Sequence, residues 1–144
     1  MKIQTTRFGA LEVPETELLN FPDGLVGFAE FKRYAVIDDA GGGPFRWLQA
    51  VDEPGLAFVV TDPSIFFPDY KVKVRAEELA PLGLKDVEGA LVLVILTLAK
   101  EASKITANLQ GPLILNLAKG MGRQIVLSEP GLTPKHRLVM EGAA

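Results

Sequence analysis

Short runs that are apolar or alternate between apolar and polar residues, separated by turn residues, dominate this chain. The 144 residues include 14 glycines and 10 prolines, and clusters such as residues 52–55 separate runs that are apolar or alternate between apolar and polar. About ten runs have the length and composition of β-strands: residues 2–6, 10–13, 33–37, 45–51, 56–61, 70–75, 90–98, 103–108, 113–117 and 123–128. Residues 76–82 instead have the pattern of a short helix, with acidic residues at the start and Pro81 near the end.

This arrangement predicts an all-β or mainly β protein, in which a bent antiparallel sheet forms a small barrel-like or sandwich-like domain with one short helix. The single domain is predicted to span residues 1–138, followed by a short C-terminal tail at residues 139–144. Gly120 and Gly122 indicate a hairpin turn before the last strand. The polar and basic residues 133–138 are expected to be loosely held.

Composition excludes several classes of protein. Apolar residues make up 48% of the chain and charged residues 23%, which is typical of a globular domain. There is no cysteine, so disulfides and thiolate chemistry are excluded. The first residues contain no hydrophobic signal core. The longest largely apolar run, residues 90–99, is far short of the roughly 20 residues of a membrane span. We therefore expect a soluble cytoplasmic protein that does not enter a membrane.

The charge balance argues against nucleic-acid binding. The net charge is −3, whereas phosphate neutralisation requires a basic surface. Trp47 beside Arg46, and Tyr70 beside Lys71 and Lys73, could provide stacking and phosphate contacts, but no continuous basic stripe accompanies them. An acidic protein is better suited to a basic protein partner.

The sequence contains little of the usual equipment of catalysis. The one histidine, His136, lies between two basic residues near the C-terminus, and none of the three serines sits in a Gly-x-Ser-x-Gly elbow. A transition-metal site is therefore unexpected. Paired carboxylates occur at Asp38–Asp39, Asp52–Glu53 and Asp62 with Asp69. Such pairs can perform acid–base chemistry or bind a hard cation, but each falls in a predicted turn, where aspartate caps the backbone. We predict no catalytic residue, no metal and no cofactor.

A loop with large apolar side chains follows the strand at residues 56–61. Ile65, Phe66, Phe67 and Tyr70 are placed between two prolines and two carboxylates, Asp62 and Asp69. Exposing such side chains to water is unfavourable. They either fold back onto the core or form a docking surface for a partner, and because neighbouring residues of an extended segment point in opposite directions, one phenylalanine can do each.

Two amides precede another turn. Asn108 and Gln110 lead into Gly111-Pro112 and then into a predicted strand. Their side chains either bond to the backbone of the turn or lie on a recognition surface.

Several segments resemble the FliW family of flagellar assembly factors. Residues 106–112 match the family signature Thr-Ala-Asn-Leu-Gln-x-Pro, and residues 21–28 are similar to its Phe-Pro-x-Gly-x-x-Gly-Phe. Residues 44–49 resemble its Pro-Phe-x-x-Leu-Gln, and residues 56–70 its Leu-Ala-Phe-x-x-x-Asp-Pro-x-x-Phe-x-x-Asp-Tyr. Residues 124–127 are similar to its last strand. The four longer motifs occur in the order of the family, and the resemblance covers residues 1 to 138.

The resemblance implies a small β-barrel-like fold without enzymatic activity. Members of the family bind flagellin in the cytoplasm. They also bind CsrA, a small dimeric RNA-binding protein that represses flagellin translation, and they antagonise it allosterically once flagellin has left the cell. For this chain the implied partners are flagellin and CsrA, without direct binding to nucleic acid or membrane.

Residue types and resemblance together give a set of candidate partner-binding residues: Asp62, Phe66, Phe67, Asp69, Tyr70, Asn108 and Gln110. The apolar side chains would be anchors, and the carboxylates would provide charge complementarity. An alternative function is a β-barrel that binds a small ligand, with Trp47 and phenylalanines lining the pocket. A third is hydrolysis by two carboxylates on one concave face.

Overall fold

The computed structural model describes residues 1–38 and 41–138. The predicted tail at residues 139–144, and Asp39 of the first carboxylate pair, lie outside these residues. The strands are β1 (Lys2–Thr5), β2 (Gly9–Glu12), β3 (Leu18–Asn20), β4 (Arg33–Asp38), β5 (Phe45–Ala50), β6 (Ala57–Thr61), β7 (Leu91–Thr97), β8 (Thr106–Ala107), β9 (Leu113–Asn116), β10 (Met121–Gln124) and β11 (His136–Arg137). The helix α1 (Ala76–Leu79) continues as a 3-10 turn, Ala80–Leu82.

Seven strands close into a barrel, in the order β7-β6-β5-β4-β3-β10-β9, with β9 pairing back to β7. All these pairs are antiparallel except β3 with β10, which are parallel and joined at Asn20 and Met121. Strand β7 also pairs with β8 farther along the edge that it shares with β9. β11 in turn pairs with β8 outside the barrel. The predicted mainly β fold with a bent sheet and one short helix is thus confirmed, and the sheet is a barrel.

Side-chain alternation fills the barrel interior. Leu48 and Ala50 of β5, Leu93 of β7 and Leu113 and Leu115 of β9 point to the same side of their strands and are at most 1% exposed. With Phe21, Leu25 and Tyr34 they form one buried cluster. The opposite faces of β7 and β9 are covered by loops and by α1, which makes further apolar clusters outside the barrel.

The β1–β2 hairpin forms a separate two-stranded sheet. It is fixed to the barrel by Thr6, whose N–H donates to the Pro54 carbonyl at 2.9 Å. Ile3 packs with Ala35 and Val51. At the hairpin turn, Arg7 lies 4.1 Å from the centre of the Trp47 ring, which makes a cation–π contact.

The prediction of a strand at residues 70–75 is wrong. The alternation exists, since Val72 and Val74 are half-buried while Lys71, Lys73 and Arg75 are exposed. The segment, however, pairs with no other strand of the described chain. A strand requires a neighbour with free backbone groups, which the alternation of side chains cannot supply.

Several other predictions about single elements need correction. The turn before β10 occupies residues 117–120, and Gly122 lies inside the strand because the Phe21 ring packs directly over it. Residues 133–138 are not loosely held: they contain β11, and Leu138 is 2% exposed. β3 was not predicted, and the predicted strands at residues 103–108 and 123–128 are reduced to β8 and to the last part of β10.

Candidate functional site

Three of the segments that resemble the FliW motifs come together in space, although they are far apart in the sequence. Residues 21–28, residues 106–112 and residues 124–127 meet at a groove of about 190 Å³. We call this the amide groove. Its lining residues are Val26, Asn108, Gln110, Gly111, Gln124, Val126 and Pro134.

Side-chain amides hold the floor of the amide groove together. The Gln124 Oε1 accepts a hydrogen bond from the N–H of Val26 at 2.8 Å, and its Nε2 donates to the Gly111 carbonyl at 3.0 Å. Asn108 Oδ1 accepts from the Gly111 N–H at 2.9 Å. Of the two interpretations of Asn108, the structure therefore shows the bond to the turn. Gln110 lines the groove with a half-buried side chain, and its carbonyl accepts from Leu127 N–H at 2.7 Å.

Two glycines of these motifs are required by close contacts. A Cβ on Gly111 would lie 2.8 Å from Gln124 Nε2, within the hydrogen-bonded floor. Gly24 has a φ of +66°, and a Cβ there would lie 2.6 Å from the Cα of Ala29. Any side chain at either position would displace backbone or floor atoms. The motif glycines thus shape the groove.

The rim of the amide groove is apolar and open to solvent. Val26 is 68% exposed and Val126 is 65% exposed, the two largest exposures among the large apolar side chains. Neither valine is in the set of candidates obtained from the sequence, and nor is Gln124. Valine in a strand-like run predicts burial, so the sequence pattern alone carried no signal for this rim.

Residues 62–70, which follow β6 and which we call the aromatic loop, pack against the outside of the barrel. Phe66 stacks on Phe45 with ring centres 5.9 Å apart, and Phe67 meets His136 edge to face at 6.3 Å. Both phenylalanines are half-buried and belong to the same outer cluster. Ile65 is the exposed apolar residue of the loop, at 55%. Each phenylalanine thus combines core packing with a partly accessible surface.

The remaining loop candidates differ in their roles. Asp62 accepts hydrogen bonds from Ser64, from its N–H at 2.9 Å and its hydroxyl at 2.7 Å, so this carboxylate caps a 3-10 turn. Asp69 is exposed. The Tyr70 hydroxyl donates to the Leu109 carbonyl at 2.6 Å. Burial, with a contribution from Glu129, raises the pKa of Tyr70. Tyr70 therefore connects the aromatic loop to the segment that contains Asn108 and Gln110.

The carboxylates near β4 and β5 are engaged in ion pairs. Asp52 is joined to Arg33 by a 2.7 Å contact, and the hydrogen bond from this guanidinium lowers the pKa of Asp52. Asp38 lies 3.4 Å from Arg46. Within residues 1–38 and 41–138, no three histidine or carboxylate side chains are grouped so as to hold a metal ion. In the same residues, no helix is long and apolar enough to cross a membrane.

The interior of the barrel is filled by side chains, which argues against the alternative of a small-ligand site. Ten buried side chains fill it, and Trp47 lies outside, against Phe8 and Arg7. A cleft of about 260 Å³ opens at one end of the barrel, beside the ion pair of Asp38 and Arg46. The predicted pocket lined by Trp47 and phenylalanines is therefore absent from the described interior.

Comparison with known proteins agrees with the motifs. The family model described as FliW protein matches residues 2–138. The flagellar assembly factor FliW of Natranaerobius thermophilus is 41% identical over 139 residues, which cover 96% of this chain and 92% of the relative. That of Geotalea uraniireducens is 43% identical, covering 94% of this chain and 83% of its own.

A solved structure extends the similarity to three dimensions. The crystal structure of a flagellar assembly factor FliW superposes with a TM-score of 0.88 at 34% sequence identity, covering 96% of both chains. Identity at this level over nearly the whole length, together with the shared barrel, establishes kinship. The chain belongs to the FliW family of flagellar assembly factors.

Proposed function

We propose that this protein is a non-enzymatic cytoplasmic regulator that binds flagellin, and that in the absence of flagellin it binds CsrA and relieves repression of flagellin synthesis. Membership of the FliW family supports the general role in flagellar assembly. The two partners come from the family resemblance. The structure contributes a surface that is suited to protein binding.

The observation that carries the proposal is the apolar rim on a rigid floor. Val26 and Val126 are exposed by about two thirds, while the amides of Asn108 and Gln124 beneath them are bonded to backbone groups. Exposed apolar side chains at a groove are typical of a protein interface. Because the floor is already ordered, binding there would cost little conformational entropy. We assign the amide groove to flagellin.

The candidates obtained from the sequence fall into two regions, the amide groove and the aromatic loop. Gln110 lines the amide groove directly, and Asn108 supports it. Phe66, Phe67 and Tyr70 are the proposed apolar anchors of a second region around the aromatic loop. Asp62 and Asp69 provide its negative charge. We assign this second region to CsrA, since a carboxylate surface complements a protein that binds RNA.

Calorimetric titration with purified flagellin, and separately with purified CsrA, tests the proposal. Saturable binding to both is expected, and a competition titration then shows whether one partner excludes the other. No binding to either partner would leave the family and fold intact but would contradict the partner-switching function.

Matched variants test the assignment of the groove. Val126→Glu should weaken flagellin binding at least tenfold without a change in melting temperature, because its side chain is exposed and buries little on folding. Leu98→Glu is the control, since Leu98 is also exposed, at 53%, and does not line the groove. Equal losses in both variants, or none in Val126→Glu, would contradict the assignment.

A charge reversal tests the aromatic loop. Asp69→Lys should weaken CsrA binding and leave the protein folded, because the Asp69 carboxylate is exposed. The loss should be largest at low salt, where the charges are least screened. Unchanged CsrA binding at low salt would contradict this role for Asp69.

A further inference from the structure

Side chains alternate along residues 70–75 as they do in a β-strand, but the segment has no partner strand within residues 1–38 and 41–138. Its chain is extended between the aromatic loop and α1, and alternate side chains face the protein and the solvent. Places where a consistent local pattern is not satisfied by the fold itself are often functional.

The backbone of this segment offers groups for hydrogen bonding. Across the described part of the chain, residues 71–74 make no hydrogen bond through their N–H or carbonyl groups to another residue. Exposed backbone groups of this kind are a template for a further strand. Neither end of the segment is loose, because Tyr70 is held to Leu109 and the Arg75 carbonyl accepts from Glu78 N–H at 2.9 Å.

The apolar side chains of the segment pack against the outside of the barrel. Val72 and Val74 pack against a buried cluster that contains Ile125 and Leu127. These two valines fix which side chains face outward, so the register of the segment is set before any partner arrives. A partner strand would therefore meet an ordered edge.

A second extended segment faces the first across a groove. The groove has a volume of about 490 Å³ and is lined by Lys73, Arg75, Glu78 and residues 125–129. Ile125 and Leu127 direct their N–H groups to the carbonyls of Pro112 and Gln110. By the alternation of an extended chain, the backbone groups of the intervening residues point away from that pairing.

The outward side chains of the segment are cationic. Lys71, Lys73 and Arg75 alternate along it, and all three are exposed. Arg75 contacts Glu78 at 3.4 Å. Lys71 and Lys73 take part in no ion pair within residues 1–38 and 41–138. A partner with carboxylates at alternate positions would match this spacing, because residues i and i+2 of a strand lie on one side.

We propose that residues 71–75 accept an extended, acidic segment of a partner protein as an added β-strand. Main-chain hydrogen bonds would supply affinity, and the alternating cations would select acidic side chains. The proposal concerns residues 71–75, which do not line the amide groove, although Val126 lies between the two grooves and lines both. It does not depend on the assignments of flagellin and CsrA.

A synthetic peptide tests this directly. The probe is an eight-residue fluorescent peptide that alternates glutamate with valine or threonine, and binding is followed by anisotropy at low salt. We expect saturable binding that slows amide exchange at residues 71–75. An otherwise identical peptide with N-methylated backbone amides should bind at least tenfold more weakly, since it cannot donate to a neighbouring strand.

Charge variants separate the edge from general attraction. Lys71→Glu with Lys73→Glu should weaken the acidic peptide at least tenfold without lowering the melting temperature, because both side chains are exposed. The control is Lys100→Glu with Lys104→Glu, which makes the same change in net charge after the C-terminal end of β7. It should leave binding of the acidic peptide unchanged.

Several results would overturn the proposal. No peptide binding would mean that the lysines only protect an edge from aggregation. Binding without slowed amide exchange, or equal binding of the N-methylated peptide, would exclude strand addition. Binding of a single-stranded RNA oligonucleotide that depends on Lys71 and Lys73, with no binding of the peptide, would assign the edge to nucleic acid instead.

Discussion

Side-chain amides bond to turn backbones in several parts of the described chain. The buried Gln49 donates from Nε2 to carbonyls of the turn after β5, including Ala50 at 3.0 Å and Leu56 at 3.1 Å. Gln124 joins two backbone segments: its Oε1 accepts from the Val26 N–H, and its Nε2 donates to the Gly111 carbonyl. Backbone groups buried in turns need such partners, since an unpaired buried group costs about 1–3 kcal/mol. Motif residues of this kind thus stabilise the fold even when they lie near a surface.

Gly122, inside β10, is a closely packed glycine. A Cβ there would lie 2.5 Å from Cζ of Phe21 and 2.8 Å from Cδ2 of Leu115, both of them fully buried. Gly122→Ala should therefore lower the free energy of unfolding by about 1–3 kcal/mol through overpacking. Urea denaturation measures this.

The control for this substitution is Gly55→Ala. The nearest atom to a Cβ on Gly55 is 3.8 Å away, so the change in unfolding free energy should be below about 0.5 kcal/mol. Equal effects at Gly122 and Gly55 would contradict the packing of Phe21 over β10.

The tyrosines predict a loss of stability in alkali. Burial raises the pKa of Tyr34 to about 12 and also raises that of Tyr70, from an ordinary value of 10.0. Above pH 10 the unfolded chain releases these protons while the folded protein retains them. The free energy of unfolding should then fall by roughly 1.4 kcal/mol per pH unit for each tyrosine. Urea denaturation between pH 10 and pH 11.5 measures the slope.

Tyr70→Phe separates the two contributions. The variant lacks the hydroxyl that donates to Leu109, so it should be less stable at pH 7 by about 1–3 kcal/mol. Above pH 10 its stability should fall about half as steeply as that of the wild type, since only Tyr34 then contributes. An unchanged slope would show that Tyr70 ionises normally in the folded protein.

Among the elements, the short strands outside the barrel are held mainly by apolar contacts. β8 and β11 contain two residues each, too few for their ladders to be stable alone. Leu138, just after β11, lies in the outer cluster and donates its N–H to the Ile105 carbonyl at 3.1 Å. This packing fixes the C-terminal part of the described chain.

Substitution of Leu138 tests that packing. Leu138→Ala should cost about 2–4 kcal/mol of unfolding free energy, as for other buried leucines. Leu98→Ala, at a residue that is 53% exposed, should change it by less than about 1 kcal/mol. Chemical denaturation of both variants provides the comparison. If Leu138→Ala did not lower the free energy of unfolding, residues 133–138 would be loosely held, as the sequence predicted.

At the scale of the whole molecule, closure of the barrel couples distant parts of the chain. β7 pairs with β6, β8 and β9, and β3 pairs with β10, which is about 100 residues later. With so many non-local pairings, none of the seven barrel strands can leave without opening the barrel. Such a topology favours slow and cooperative folding.

Cooperative unfolding can be checked with two probes. Trp47 is the single tryptophan and contacts Phe8 and Arg7 of the β1–β2 hairpin, so its fluorescence reports the docking of the hairpin. Circular dichroism in the far ultraviolet reports the barrel. The urea midpoints of the two signals should coincide, and a lower midpoint for the fluorescence would show that the hairpin detaches first.

Local patterns predicted much of the fold. The β1–β2 hairpin and strands β4 to β6 follow from alternation and from glycine, proline and aspartate in the turns, and the helix at residues 76–82 follows from its end signals. Residues 70–75 were predicted wrongly because pairing depends on a neighbour elsewhere in the chain. Gly122 was predicted in a turn because glycine is typical of turns. The sequence near Gly122 gives no sign that the distant Phe21 ring packs over it.

The candidate site was predictable only in part. The aromatic loop and the amide turn were identified from residue types that are unusual in such positions, and Tyr70 joins them. The rim valines were not identified, because the rim is formed by two segments that lie about 100 residues apart in the sequence. Valine at position 126 has the same local pattern as its buried neighbours Ile125 and Leu127.

The amide groove divides its residues between two tasks, and this division has an evolutionary consequence. Gly111, Asn108 and Gln124 are locked by mutual bonds, so a change at any of them disturbs the fold. Val26 and Val126 contribute little to that network through their side chains. Their replacement would alter what is recognised at small cost in stability. Mutation can therefore adapt this surface to a diverging partner while selection for folding keeps the motif unchanged.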